Sequence, residues 1–96
     1  MRNIKDIKKL MSKHKSHLTK KYGLRFIAIF GSYSRGEQNE NSDIDILVGF
    51  EKPVGIEFID LAIELEKILN LKVDLISRQG IKPRYLKSIE EDLYYV

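Results

Sequence analysis

The sequence predicts an α/β domain of the α+β kind, a small mixed sheet flanked by helices. Three observations carry that prediction. Two long stretches repeat apolar residues at spacings of three and four, three short stretches are apolar and rich in β-branched residues, and the two kinds are interleaved along the chain. With 96 residues there is material for one hydrophobic core, so the expectation is one domain over residues 1–96.

Ile4, Ile7, Leu10, Met11, His14 and Leu18 recur at helical spacing with lysines between them, which predicts an amphipathic helix that stops at Gly23. Arg25 to Phe30 (RFIAIF) reads as a strand. It runs into GSYSRGEQNENS, residues 31–42, whose Gly, Ser and Asn content reads as a loop. Asp43 to Phe50 (DIDILVGF) is a second strand with its acids at the start, closed by a break at Pro53 and Gly55. From Ile56 to Asn70 there is no Gly or Pro, and Ile59, Ala62, Ile63, Leu65, Glu66 and Leu69 mark a second helix with an apolar stripe. Lys72 to Ser77 (KVDLIS) is a third strand. Arg78 to Lys82 is a turn, and Pro83 suits the first turn of a short helix ending near Tyr94.

Composition removes several functions. Cysteine is absent, which excludes disulfides, thiolate metal sites and cysteine nucleophiles. No apolar run reaches the roughly 18 residues of a membrane span, and the charged N-terminal stretch does not resemble a secretory signal, so a cytoplasmic protein without membrane contact is expected. The net charge of +3 is too small to point to nucleic acid. It is unevenly spread: residues 1–25 carry nine basic side chains against Asp6, a local +8 that leaves −5 for the remainder. The basic first helix is open to an acidic partner, another copy of this chain, or solvent alone.

Asp43 and Asp45 stand two apart on a strand, so they share a face about 7 Å apart at Cα, and Ile44 and Ile46 take the other face. Neighbouring carboxylates repel unless a cation neutralises them. With no Cys and no suitable His cluster, an all-oxygen site favours Mg²⁺, or Mn²⁺ in its place, over zinc. The segment from Phe50 to Lys72 is long enough for a right-handed crossover, which makes the strands of Asp45 and Asp74 parallel neighbours and brings a third carboxylate to the same sheet edge. The shorter loop after Phe30 turns the first strand antiparallel to the second and returns Gly31 and Ser32 to that edge. Two ions about 4 Å apart in such a site would serve in-line displacement at phosphorus. Gly31 lets a phosphate approach the backbone, and Ser32 can hydrogen-bond it. Arg35 and Ser42 complete the candidate phosphate contacts.

Gly31-Ser32, ten intervening residues, then Asp43-Ile44-Asp45 matches the signature G-S-x10-D-x-D, and GSYSRGEQNENSDIDILV resembles the minimal members of the DNA polymerase β-like nucleotidyltransferase superfamily. The likeness covers nearly the whole chain, and Asp74 in KVDLIS sits where that family keeps its third carboxylate. The resemblance implies a minimal nucleotidyltransferase of the MntA antitoxin type, which transfers AMP from ATP to a tyrosine of a HEPN-domain ribonuclease toxin. It also implies that Asp43 and Asp45 bind Mg²⁺ and the triphosphate. Asp74 would complete the metal site and accept the acceptor's proton, while Gly31 and Ser32 hold the phosphates. Larger relatives carry a further domain for the acceptor, so a partner protein would have to supply it here.

Two other readings stand beside this one. The chain could neutralise a toxin by binding alone, with a vestigial acidic site, or it could modify a small molecule, for which 96 residues leave little wall. Ser34 does not form a hydrolase elbow, because Ser32 stands where that motif needs glycine, and there is no P-loop. His14 and His17 are one helical turn apart without an evident third ligand, and Tyr33, Tyr94 and Tyr95 read as packing residues.

Overall fold

The first helix begins where a side chain can satisfy its free amides. Asn3 accepts the Asp6 N–H at 2.9 Å, and the helix α1 (Ile4–Tyr22) ends where Gly23 turns left-handed at φ 65°. The computed structural model describes residues 3–96. The chain continues through β1 (Leu24–Phe30), α2 (Ser32–Arg35), β2 (Ile44–Phe50), α3 (Glu57–Leu69), β3 (Val73–Ser77) and α4 (Pro83–Ile89), then a 3-10 turn (Glu90–Asp92) and β4 (Tyr94–Tyr95). Asn70 ends α3 in the left-handed region at φ 53°, as the sequence suggests. Among the described residues no helix is long and apolar enough to cross a membrane.

The four strands lie in the order β3-β2-β1-β4. β1 is antiparallel to β2 and β2 is parallel to β3, so the sheet is mixed, as expected from the two connection lengths. Alternation splits the side chains between two faces. Ile27 and Ile29 of β1 and Ile44, Ile46 and Val48 of β2 pack with Ile7, Met11 and Leu18 of α1 and Leu61, Leu65 and Leu69 of α3. Each such Leu or Ile contributes about 1.5–3 kcal/mol through burial. On the opposite face Phe30 and Leu47 pack with Ile89 of α4.

Three expectations are corrected. Residues 31–42 are not wholly loop, because Ser32–Arg35 form one helical turn. The buried stripe of α3 is Leu61, Leu65 and Leu69, whereas Ile59 and Ile63 are 57% and 47% exposed. The two isoleucines lie a quarter-turn or more from the leucine row, which alone faces the sheet. The last helix ends at Ile89 instead of near Tyr94, and Tyr94–Tyr95 add an edge strand opposite Ile29 and Ala28.

α1 and α3 are also joined by a polar cluster. The Glu64 carboxylate accepts the Tyr22 hydroxyl at 2.7 Å and the Lys21 ammonium at 3.0 Å, and it lies 3.0 Å from His17 Nε2. These partners hold the Glu64 pKa down at about 2, the Tyr22 hydrogen bond foremost. His17 therefore contributes to helix packing.

Candidate active site

The end of the sheet where β1 stops and β2 and β3 start gathers most of the candidate residues. In the register, Phe30 of β1 is opposite Asp45 of β2, and Asp45 is opposite Asp74 of β3. Partners in register project to the same side, so Asp45 and Asp74 stand side by side on the face that carries Leu47. Asp43 precedes the strand and is exposed.

The electrostatics follow from that crowding. The Asp45 carboxyl is pushed up to about 6, first by burial, then by the charge of Asp74 and a side-chain hydrogen bond with it, and then by the charge of Asp43. The positive charge of Arg35 acts in the opposite direction. Two carboxylates held together in this way, with oxygen donors only, fit a hard divalent cation. Asp45 and Asp74 would hold it. Asp43 is within electrostatic reach, but among the described residues no three His, Asp or Glu side chains are arranged around one metal position, so of the three carboxylates expected to converge the fold brings two together.

Gly31 makes the close approach possible. Its backbone lies at φ 75° and ψ −149°, a region that L-residues avoid. A Cβ placed there would lie 3.1 Å from Asp45 Cγ and closer still to a carboxylate oxygen. The chain thus turns out of β1 directly against Asp45, and Ser32 follows at the start of α2, half-buried. Tyr33 is 2% exposed and anchors the turn in the core, as expected of a packing residue.

Arg35 is placed near the carboxylates by α2 and clamped by two acids. Its Nε donates to Glu37 at 2.8 Å and its Nη1 to Asp92 at 2.7 Å. Ser42 lies just before Asp43, where its hydroxyl accepts the Asn39 N–H at 3.0 Å and its own N–H donates to the Asn39 carbonyl at 3.1 Å. That turn sets the direction from which Asp43 enters the strand. Asp92 is the residue that sequence reasoning missed. It is 57 positions from Arg35, and its only sequence signal is an acidic run, Glu90 to Asp92, at the end of a helix where acids oppose the dipole.

Comparison with known proteins agrees with this fold. The nucleotidyltransferase domain model matches residues 11–96. A Methanocaldococcus jannaschii protein, MJ1379, named provisionally as a protein adenylyltransferase, is 52% identical over 100 residues that cover all of both chains. The protein adenylyltransferase MntA of Thermococcus cleftensis is 40% identical over 97 residues, covering all of this chain and 98% of its own. Among solved structures, a chain of a toxin-antitoxin complex with AMP-PNP superposes with a TM-score of 0.73 at 29% identity, covering 86% of this chain and 69% of that one. On the matched model and on relatives as short as itself, this chain belongs to the nucleotidyltransferase-domain family, among its minimal, MntA-type members.

Proposed function

We propose that this chain is the antitoxin of a two-protein system and acts as an adenylyltransferase, moving AMP from ATP to a tyrosine of a HEPN-domain toxin. The observation that carries the reading is the registered pair Asp45 and Asp74 at the sheet edge where Gly31 turns, in a family that transfers nucleotides. The relatives named as protein adenylyltransferases and the toxin-antitoxin structure holding AMP-PNP support the acceptor class and the nucleotide.

In this reading the tyrosine oxygen attacks the α-phosphorus of ATP. A phosphorus–oxygen bond to the tyrosine forms, the bond to the β-phosphate bridge oxygen breaks, and pyrophosphate leaves. Mg²⁺, held by Asp45 and Asp74 with Asp43 beside them, would neutralise the triphosphate and the departing pyrophosphate, and Mn²⁺ would substitute. Asp74, exposed at the sheet edge, is open to the acceptor and takes the tyrosine proton. Gly31 admits a phosphate to the backbone without a Cβ in the way, Ser32 donates its hydroxyl, and Arg35 contributes positive charge. Ser42 keeps the approach to Asp43 fixed through its turn. The site is an open edge, so the wall that orients the acceptor comes from the toxin itself.

The test is intact-mass spectrometry of a HEPN-domain protein encoded beside this chain, after incubation with this protein, ATP and Mg²⁺. A mass gain of whole AMP units with the wild type, absent with Asp43→Asn and with Asp45→Asn, is expected. Stable complex formation with no mass change would instead establish neutralisation by binding alone.

A further inference from the structure

We propose that Asp92 is a positioning residue: it holds Arg35 and the α2 turn in the orientation that meets the triphosphate. This rests on the reading of Gly31 to Arg35 as the part of the chain that faces the phosphates.

The α2 turn is four residues long, too short to persist as an isolated helix, so its geometry must be imposed from outside. Three contacts do so. Tyr33 is buried in the core, the Ser34 hydroxyl donates to the Asp92 backbone carbonyl, and Arg35 Nη1 donates to Asp92 Oδ2 at 2.7 Å. Two of the three end on Asp92. Asp92 is fixed in its turn by a 3-10 turn in which the Leu93 N–H donates to the Glu90 carbonyl at 3.3 Å. Beyond it Tyr94 and Tyr95 pair with Ile29 and Ala28 of β1, the strand that ends just before Gly31. The C-terminal segment therefore ties the phosphate-facing turn back to the strand from which it emerges.

The two acids on Arg35 differ in a way that separates their roles. The Glu37 side chain is 64% exposed and that of Asp92 24%, so the Asp92 pair is the better sheltered from water and salt. A guanidinium has five N–H groups, so two clamping contacts do not exhaust it. An arginine fixed before the nucleotide arrives loses less side-chain freedom on binding than a free one. Asp92 carries the same sign of charge as a phosphate and would repel it, so its effect passes through Arg35.

The measurement is calorimetric titration of Mg·AMP-PNP into the wild type, Asp92→Asn, Arg35→Gln, the double variant and Glu37→Gln, with a melting curve for each. Asparagine keeps the shape of Asp92 and the carbonyl that receives Ser34. Asp92→Asn is expected to weaken binding about 3- to 10-fold and Glu37→Gln less than about 2-fold. In the Arg35→Gln background Asp92→Asn should change affinity less than about 2-fold, the signature of action through Arg35, which a general loss of structure would not give. Tighter binding by Asp92→Asn would make Asp92 a competitor for Arg35 and overturn the proposal. Equal weakening in both backgrounds would also overturn it, and so would an unchanged affinity. If the wild type itself does not bind Mg·AMP-PNP, the reading of the turn as a phosphate site falls, and this inference with it.

Discussion

Replacing Gly31 by alanine probes fold and chemistry at one atom. The added Cβ must occupy a backbone conformation at φ 75° and ψ −149°, which costs about 1–3 kcal/mol for a non-glycine residue. It also runs into the Asp45 carboxylate, whose Cγ would be 3.1 Å away, so Asp45 must rotate or the turn must shift, at a further cost of about 1–3 kcal/mol. Gly31→Ala should therefore lose about 2–6 kcal/mol in urea unfolding followed by circular dichroism, which a domain near the middle of the usual range of about 5–15 kcal/mol survives. Transfer should fall at least about 100-fold, because Asp45 is displaced by an ångström or more. Gly36→Ala is the internal control. It too has a positive φ, of 70°, but nothing lies within 4 Å of its Cβ, so only the conformational cost of about 1–2 kcal/mol remains and transfer persists. If Gly31→Ala costs no more than Gly36→Ala, or keeps its transfer activity, the contact with Asp45 does not govern the site.

In EDTA, Asp45 makes the folded state less stable as pH rises. Its folded value of about 6 is above the ordinary 3.8, so stability falls between those values, and Asp45→Asn should remove that slope and add about 1 kcal/mol at pH 7.5, with Mg²⁺ narrowing the difference; thermal melts with and without the ion check this. Glu64 has the opposite sign. Its folded value of about 2 is below the ordinary 4.5, so its contribution is complete above pH 4.5 and is lost as pH falls toward 2; Glu64→Gln should cost about 1–2 kcal/mol at pH 7 by denaturation and leave nucleotide transfer unchanged, since the Tyr22–Lys21–His17 cluster joins α1 to α3 and not to the carboxylates. Asn70→Gly should raise stability by a few tenths of a kcal/mol, and Asn70→Ala should lower it by about 1 kcal/mol, because the residue caps α3 at φ 53°; a urea midpoint series resolves the two.

What could be read from sequence follows from how far each signal extends. The α1 pattern and the three longer strands are set by periodicity within a window, and Gly23 and Asn70 end their helices for a reason local to one residue. The Asp45–Asp74 pairing was legible although 29 residues separate them, because a crossover of that length leaves one handedness and a parallel register. The stripe of α3 was misassigned because Ile59 and Ile63 satisfy the helical spacing as well as Leu61 and Leu65 do, and only the position of the sheet chooses between two apolar rows. β4 was invisible for a different reason. Two residues carry no alternation, and Ile89 and Leu93, four apart, imitate a continuing helix while the one local sign against it is the acidic run at its C-terminal end. That missed strand delivers Asp92 to Arg35. Motif spacing identifies groups that touch a substrate because the chemistry constrains them directly, whereas the groups that hold them in place are constrained only by meeting in space, and sequence separation hides them. In this chain the signature residues are confined to 31–45 and Asp74, and part of their support comes from the last five residues. Truncation after Leu93 should accordingly weaken Mg·AMP-PNP binding although no signature residue is removed, and affinity equal to that of the full chain would show that the β4 pairing contributes nothing to the site.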